Sequence, residues 1–261
     1  MDLNLNGKVA AITGGSAGIG KAAALAFAAE GCKVAICGRS QEKLDAASRE
    51  LETAGATFMA SQVDVADLAA VRAFIDAVCT RFGQIDIWVN NAGVGRNKPI
   101  LQATPEDWDY VMDINLKSLF FASQIVANQM VAKKIPGVII NLSSYSTVIP
   151  SAQRAIYAAS KAAVNSLTKT FAAECAPYGI RVVAVIPGMI ETDMTTATIA
   201  QHRATLTADV AAGRLGTPED LARPIVFLAS EASGYITGVC VEVSGGKFSV
   251  QDPGAVWKQR A

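Results

Sequence analysis

A chain of 261 residues, with 23 Lys plus Arg against 23 Asp plus Glu, one His and 51% hydrophobic residues, can bury about three quarters of its unfolded surface in one compact α/β unit. A formal charge of zero without a basic run argues against nucleic acid as a partner. The longest apolar stretch, residues 22–29, is far short of the roughly 18 to 20 residues of a membrane-spanning helix. Residues 1–8 lack the basic start and apolar core of a secretory leader.

The chain alternates short β-branched runs with longer helical patterns. In order, the spacing predicts a strand at 8–13, helix 19–30, strand 33–37, helix 41–53, strand 57–62, helix 67–82, strand 85–90, helix 105–129, strand 137–142, helix 155–176, strand 181–186, helix 218–229 and strand 239–243. Several strands are apolar through most of their length, as suits parallel strands covered on both faces. Thr104-Pro-Glu-Asp107 and Thr217-Pro-Glu-Asp220 are helix starts: a Thr cap, Pro in the first turn and acids at the positive end. Strict alternation implies one doubly wound domain over 1–261, with a seven-stranded, mostly parallel sheet and helices on both faces. The irregular stretch 192–214 follows the sixth strand, where an insertion can cover a ligand site, and is expected to be a substrate lid. The tail 247–261 carries Phe248, Val250, Val256 and Trp257. It is expected to pack on the domain or across a subunit boundary.

Five cysteines, Cys32, Cys37, Cys79, Cys175 and Cys240, form no Cys-x-x-Cys pair and read as small buried side chains in a reducing cytoplasm. With His202 the one histidine, neither a metal site nor a Ser-His-Asp triad is expected. The feature that carries chemistry is Thr13-Gly-Gly-Ser-Ala-Gly-Ile-Gly20, which runs from the first strand into a helix. Its glycines permit a tight turn and backbone approach to a pyrophosphate at the helix N-terminus. Tyr157 and Lys161 are four apart on a predicted helix and so share a face. A neighbouring ammonium favours a phenolate, so this pairing is expected to lower the tyrosine pKa and equip it for proton transfer.

The spacing Gly-x-x-x-Gly-x-Gly resembles the short-chain dehydrogenase/reductase family. The resemblance continues through Asn90-Asn-Ala-Gly93, Asn115, Ser144, Tyr157-x-x-x-Lys161 and Pro187-Gly188, from about residue 8 to 246. It implies a Rossmann-like fold and an oxidoreductase that interconverts a ketone and a secondary alcohol of a small molecule. Asn115, Ser144, Tyr157 and Lys161 would be catalytic. Ser144 rather than its neighbour Ser143 is selected by the family's spacing, Asn115 would support a proton relay, and Lys161 would also hold the nicotinamide ribose. The implied cofactor site comprises Gly14, Ser16, Gly18, Ile19, Gly20, Arg39, Asp64, Val65, Asn91, Ala92, Gly93, Tyr157, Lys161, Pro187, Gly188, Ile190 and Thr192, with Asp64 and Val65 beside the adenine and Thr192 at the carboxamide.

At the end of the second strand, Gly38 stands where NAD-specific relatives carry Asp, and Arg39 follows. A guanidinium there can pair with a 2′-phosphate, so NADP is expected, with NAD the alternative. Arg96 and Lys98 are expected to be a solvated pair rather than an anion site, and His202 to contact substrate or solvent. A homotetramer or dimer in the cytoplasm, with no membrane or nucleic-acid partner, completes the expectation. Two rivals remain: a 3-oxoacyl-carrier-protein reductase and a non-catalytic dinucleotide sensor. Retention of the four proton-handling residues weighs against the sensor. Tyr178, where carrier-protein reductases commonly place Arg before Gly179, weighs against the carrier, leaving Lys133 and Lys134 as docking charges.

Overall fold

The computed structural model describes residues 2–257, apart from the Val256 side chain. Val256, as a packing residue, and residues 258–261 of the tail therefore lie outside the described residues. Strands β1 (Val9–Thr13), β2 (Lys33–Gly38), β3 (Phe58–Gln62), β4 (Ile87–Asn90), β5 (Val138–Leu142), β6 (Arg181–Pro187) and β7 (Cys240–Val243) form one sheet in the order β3-β2-β1-β4-β5-β6-β7. Every pairing is parallel, so the sheet is wholly rather than mostly parallel.

Because side chains alternate across a strand, each strand feeds two cores. On one face Ala10, Ile12, Val34, Ile36, Val89 and Ile140 pack beneath helices α1 (Gly18–Ala29), α2 (Gln41–Thr53) and α8 (Pro218–Ala229). On the other, Val9, Ala11, Ala35, Trp88, Ile139 and Val182 meet α3 (Leu68–Phe82), α5 (Ser118–Lys133) and α6 (Ala155–Cys175). The chain order reverses between β1 and β4. Their C-terminal ends flank the crevice where a doubly wound sheet takes its ligand. Among the described residues no helix is long and apolar enough to cross a membrane.

Two expectations need correction. The helix predicted over 105–129 is α4 (Pro105–Met112) and α5, separated by a π turn at Asp113–Lys117. The Ser118 amide there reaches back to the Asp113 carbonyl, a widened turn that periodicity alone does not reveal. The stretch 192–214 is not irregular throughout, since it contains α7 (Thr196–Ala208), kinked at His202 with φ −132° and ψ 19°. Its weak amphipathic pattern hid it, with Ile199 the single buried side chain.

The two Thr-Pro-Glu-Asp starts behave as expected. Asp107 and Asp220 fold back onto the amides of Thr104 and Thr217, at 3.2 and 2.8 Å.

Candidate active site

The glycine turn is shaped by its neighbours. Gly14 and Gly18 have φ of +65° and +52°, a left-handed backbone that side chains disfavour. At Gly20 a Cβ would lie 2.3 Å from the Gly14 carbonyl oxygen and 2.4 Å from Asn91 Nδ2, so glycine is required by close packing. Asn91 Nδ2 donates to the carbonyls of Thr13 and Gly14, both at 3.0 Å, and the Thr13 hydroxyl accepts from the amides of Asn91 and Ala92, both at 3.1 Å. Asn91 is thus a brace between β4 and the turn. Thr13, which opens the glycine motif but was assigned no role by it, completes that brace.

Helix α1 begins at this turn with Ala17 as its cap residue, no side-chain cap and no acid in the first turn. By contrast, Ser40 caps α2, Asp67 caps α3 and Thr104 caps α4. A bare, positive helix end framed by tight glycines fits a pyrophosphate. Ser16 lies over the end of β2, where a Cβ on Gly38 would meet its Oγ at 2.6 Å. Arg39 is exposed beside it, its carbonyl accepting from Gln62 Nε2 at 2.9 Å, and its guanidinium has no partner among the described residues. Asp64 is exposed and Val65 buried, just past β3.

The opposite wall comes from β5, β6 and the start of α7. Gly188 approaches Ser244 so closely that a Cβ would lie 2.7 Å from its carbonyl oxygen. Ile190 bridges to Gly216. Thr192 places its methyl group against Gly18, 3.2 Å from where a Cβ would stand, and its amide binds Thr195 Oγ1 at 3.0 Å. Two ion pairs bind this entrance, Lys43 to Asp193 at 2.5 Å and Arg203 to Glu191 at 2.6 Å. Pro187 closes β6 beneath them.

Asn115, Ser144, Tyr157 and Lys161 come together past the ends of β4 and β5. Tyr157 is 8% exposed and Lys161 4%. Lys161 Nζ donates to the Leu142 carbonyl at 2.7 Å, and burial pulls its pKa down to about 8. A Cβ on Gly93 would lie 3.4 Å from Asn115 Oδ1 and 3.5 Å from Lys161 Nζ, so one glycine separates these two polar groups. Asn115 occupies the π turn, with Oδ1 accepting from the Val94 amide at 2.8 Å and Nδ2 donating to the Val94 carbonyl at 2.9 Å and to Ser160 Oγ at 3.1 Å. Ser160 in turn donates to the Tyr157 carbonyl at 2.7 Å. Ser160 is a further supporting residue that the Tyr-x-x-x-Lys spacing concealed.

The tyrosine pKa departs from expectation, being raised rather than lowered. Burial is the largest cause, and the opposing pulls are a hydrogen bond with Ser144 and the Arg154 charge rather than Lys161. Desolvation disfavours phenolate, and the ammonium is engaged by Leu142. Ser144, which accepts from the Ser146 amide at 3.1 Å, is the serine coupled to the phenol. The Ser143 hydroxyl is buried without a partner among the described residues.

Arg96 and Lys98 are not merely solvated. Both bind the buried Asp107, at 2.5 and 3.1 Å, and with the Thr104 amide they hold its carboxyl well below the usual range. His202 is exposed at the α7 kink. The tail packs on residues just beyond α7: Lys247 pairs with Asp209 at 2.7 Å, Trp257 Nε1 donates to the Ala211 carbonyl at 3.2 Å, and the Trp257 ring covers Gly213. Phe248 is half-buried and Val250 exposed.

A glycine-framed helix end at the switch point, beside a buried Ser-Tyr-Lys group, defines a dinucleotide-dependent oxidoreductase. The family described as short chain dehydrogenase matches residues 8–203, and the chain belongs to the short-chain dehydrogenase/reductase family. A 3-oxoacyl-[acyl-carrier-protein] reductase of Thermotoga maritima is 40% identical over 244 residues, 94% of this chain and 99% of the relative. The 3beta-hydroxysteroid dehydrogenase 1 of Eggerthella lenta is 41% identical over 246 residues, 93% and 94% of the two chains. Among solved structures, a short-chain type dehydrogenase/reductase from Mycobacterium marinum superposes with a TM-score of 0.91 at 36% identity, covering 95% of this chain and 98% of that one. The family implies a nicotinamide dinucleotide cofactor and interconversion of ketone and alcohol.

Proposed function

We propose that the protein is an NADP(H)-dependent oxidoreductase acting on a small free ketone or the corresponding secondary alcohol. The observation that carries this reading is the convergence of Ser144, Tyr157, Lys161 and Asn115 beside the braced glycine turn. The cofactor would be held by Gly14, Ser16, Gly18, Ile19 and Gly20 at its pyrophosphate, by Arg39 with Asp64 and Val65 at its adenosine end, and by Asn91, Ala92, Gly93, Pro187, Gly188, Ile190 and Thr192 towards the nicotinamide. When bound, it supplies or accepts the hydride.

The chain's residues handle the proton. Tyr157, kept protonated by its burial, donates its hydroxyl proton to the carbonyl oxygen as charge develops there, and Ser144 hydrogen-bonds the same oxygen. Lys161, with its pKa brought to about 8 by burial, exchanges protons around neutrality and would contact the ribose. Asn115 and Ser160 brace the first turn of α6 that carries Tyr157. Residues 192–214 act as the lid. The exposed Trp108 and Phe121 on α4 and α5 support a homo-oligomer.

Carrier-linked 3-oxoacyl chains are the second reading, favoured by the 40% identity to such a reductase. Two observations favour free substrates: Tyr178 stands exposed before Gly179, and Lys133 Nζ is engaged by the Gly83 carbonyl at 2.5 Å. The test follows NADPH absorbance across a panel of free ketones and one acetoacetyl carrier protein. Tyr157→Phe is expected to keep NADPH affinity and lower kcat by about 100- to 10,000-fold. Turnover within a few-fold of wild type would remove Tyr157 as the acid, and a strong, salt-sensitive preference for the carrier substrate would favour the second reading.

A further inference from the structure

Two loops, residues 94–98 after β4 and residues 148–154 before α6, are joined at Arg154, whose side chain lies beside the Tyr157 ring. The Lys98 amide donates to the Gln153 carbonyl at 2.8 Å, and Gln153 holds a left-handed φ of +67°, a conformation that non-glycine residues seldom adopt without compensation. This turn delivers Arg154 to the cap of α6. Its Nε donates to Asn97 Oδ1 at 3.0 Å, and its guanidinium carbon lies 5.5 Å from the centre of the Tyr157 ring.

The charges on these loops are spent unequally. Arg96 and Lys98 share the buried Asp107. Arg154 has no carboxylate partner among the described residues, and Asn97 satisfies only its Nε. Four N–H groups on its two terminal nitrogens therefore remain available in a planar fork, the geometry that grips a carboxylate through paired bonds.

We propose that Arg154 is a substrate-anion subsite and that the preferred ketones carry a carboxylate close to the reacting carbonyl. The inference rests on the reductase reading above and names its substrate class. A single unneutralised guanidinium matches a monoanion, whereas a phosphate dianion would leave charge uncompensated beside the phenol. The same anchor fixes how far the carbonyl can stand from the Tyr157 hydroxyl, so it aligns the substrate as well as binding it.

The test measures kcat/KM for 3-oxobutanoate, 4-oxopentanoate and the methyl ester of each, in wild type, Arg154→Met, Arg154→Lys and Asn97→Asp. Wild type is expected to prefer an acid over its ester. Arg154→Met should reduce that acid-to-ester ratio about 10- to 100-fold, mainly through KM, and Arg154→Lys should recover part of it. Asn97→Asp leaves the guanidinium over the ring but supplies a competing carboxylate, and it should reduce the ratio as well. A residue that only steadied the Tyr157 ring would lower acid and ester together and leave the ratio unchanged. An unchanged ratio in both Arg154→Met and Asn97→Asp overturns the subsite while leaving the reductase standing. A wild type idle on these substrates and on the neutral ketone panel overturns the reductase reading and the subsite with it.

Discussion

Lys161 should destabilise the protein that contains it. Its ammonium is buried and, among the described residues, makes one hydrogen bond, to the Leu142 carbonyl at 2.7 Å, and burial brings its pKa from 10.5 to about 8. At about 1.4 kcal/mol per tenfold in proton affinity, that depression corresponds to roughly 3 kcal/mol of lost stability wherever the unfolded chain keeps the lysine charged. The unfolded state binds the extra proton between pH 8 and 10.5. Stability from this group is therefore present above pH 10.5, is lost as pH falls to 8, and stays at its low value below that. Lys161→Met removes the charge but leaves the Leu142 carbonyl short of a partner, at a cost of about 1 to 3 kcal/mol. The expected variant is equal to wild type or up to roughly 2 kcal/mol more stable at pH 7, a Tm rise of up to about 6 °C for a chain of this size. The advantage should shrink through pH 8 to 10 and reverse above. Thermal unfolding of both proteins in nucleotide-free buffer across that range measures it. A variant less stable by a constant amount from pH 7 to 10 would refute the argument. The same variant should be inactive, because the group that weakens the fold is the one proposed to exchange the proton.

Arg39→Ala should weaken NADPH about 10- to 150-fold, the value of one charge-assisted bond, while changing NADH two- to threefold at most on the order of a surface effect. Fluorescence titration of each nucleotide checks this, and equal losses would make Arg39 a surface residue. Deletion after Gly246 removes the Lys247–Asp209 pair and the Trp257 cover on Ala211 and Gly213. It should lower Tm and raise KM for the ketone more than Kd for the nucleotide, because the contacts end on the stretch following α7. An unchanged Tm and KM would show that the tail supports nothing.

The sheet was legible because buried parallel strands write themselves as apolar runs, and because Gly14, Gly18 and Gly20 mark a turn that a left-handed backbone or close packing denies to other residues. The four candidate catalytic residues were legible through their family spacing. Other features depend on contacts between distant segments. The π turn at Asn115 is held by Val94 and Ser160, and neither partner is implied by local helical period. The pairing of Arg96 and Lys98 with Asp107 uses a residue already spoken for as a helix cap. Spacing shows that Lys161 is near the phenol, whereas burial and the Leu142 carbonyl decide where its charge is directed.

The stretch 192–214, proposed above as the lid, is anchored at both ends. At its start, Thr192 rests on Gly18 and Asp193 is tied to Lys43 on α2, so the glycine turn and this stretch are packed together. At its end, the Ala212 amide donates to the Gly245 carbonyl at 2.9 Å, and Lys247 and Trp257 hold Asp209 and Ala211. Between these fixed ends, α7 buries Ile199 alone and breaks its helical geometry at His202. A segment fixed at both ends and lightly packed between them can alter pocket shape without moving the glycine turn or Tyr157. Under the proposed function, size and shape selection would fall to α7, and the proposed Arg154 subsite would read the charge of the substrate. The two contributions can be varied separately, because Arg154 is held by Asn97 and the turn at Gln153, with no bond to α7 among the described residues.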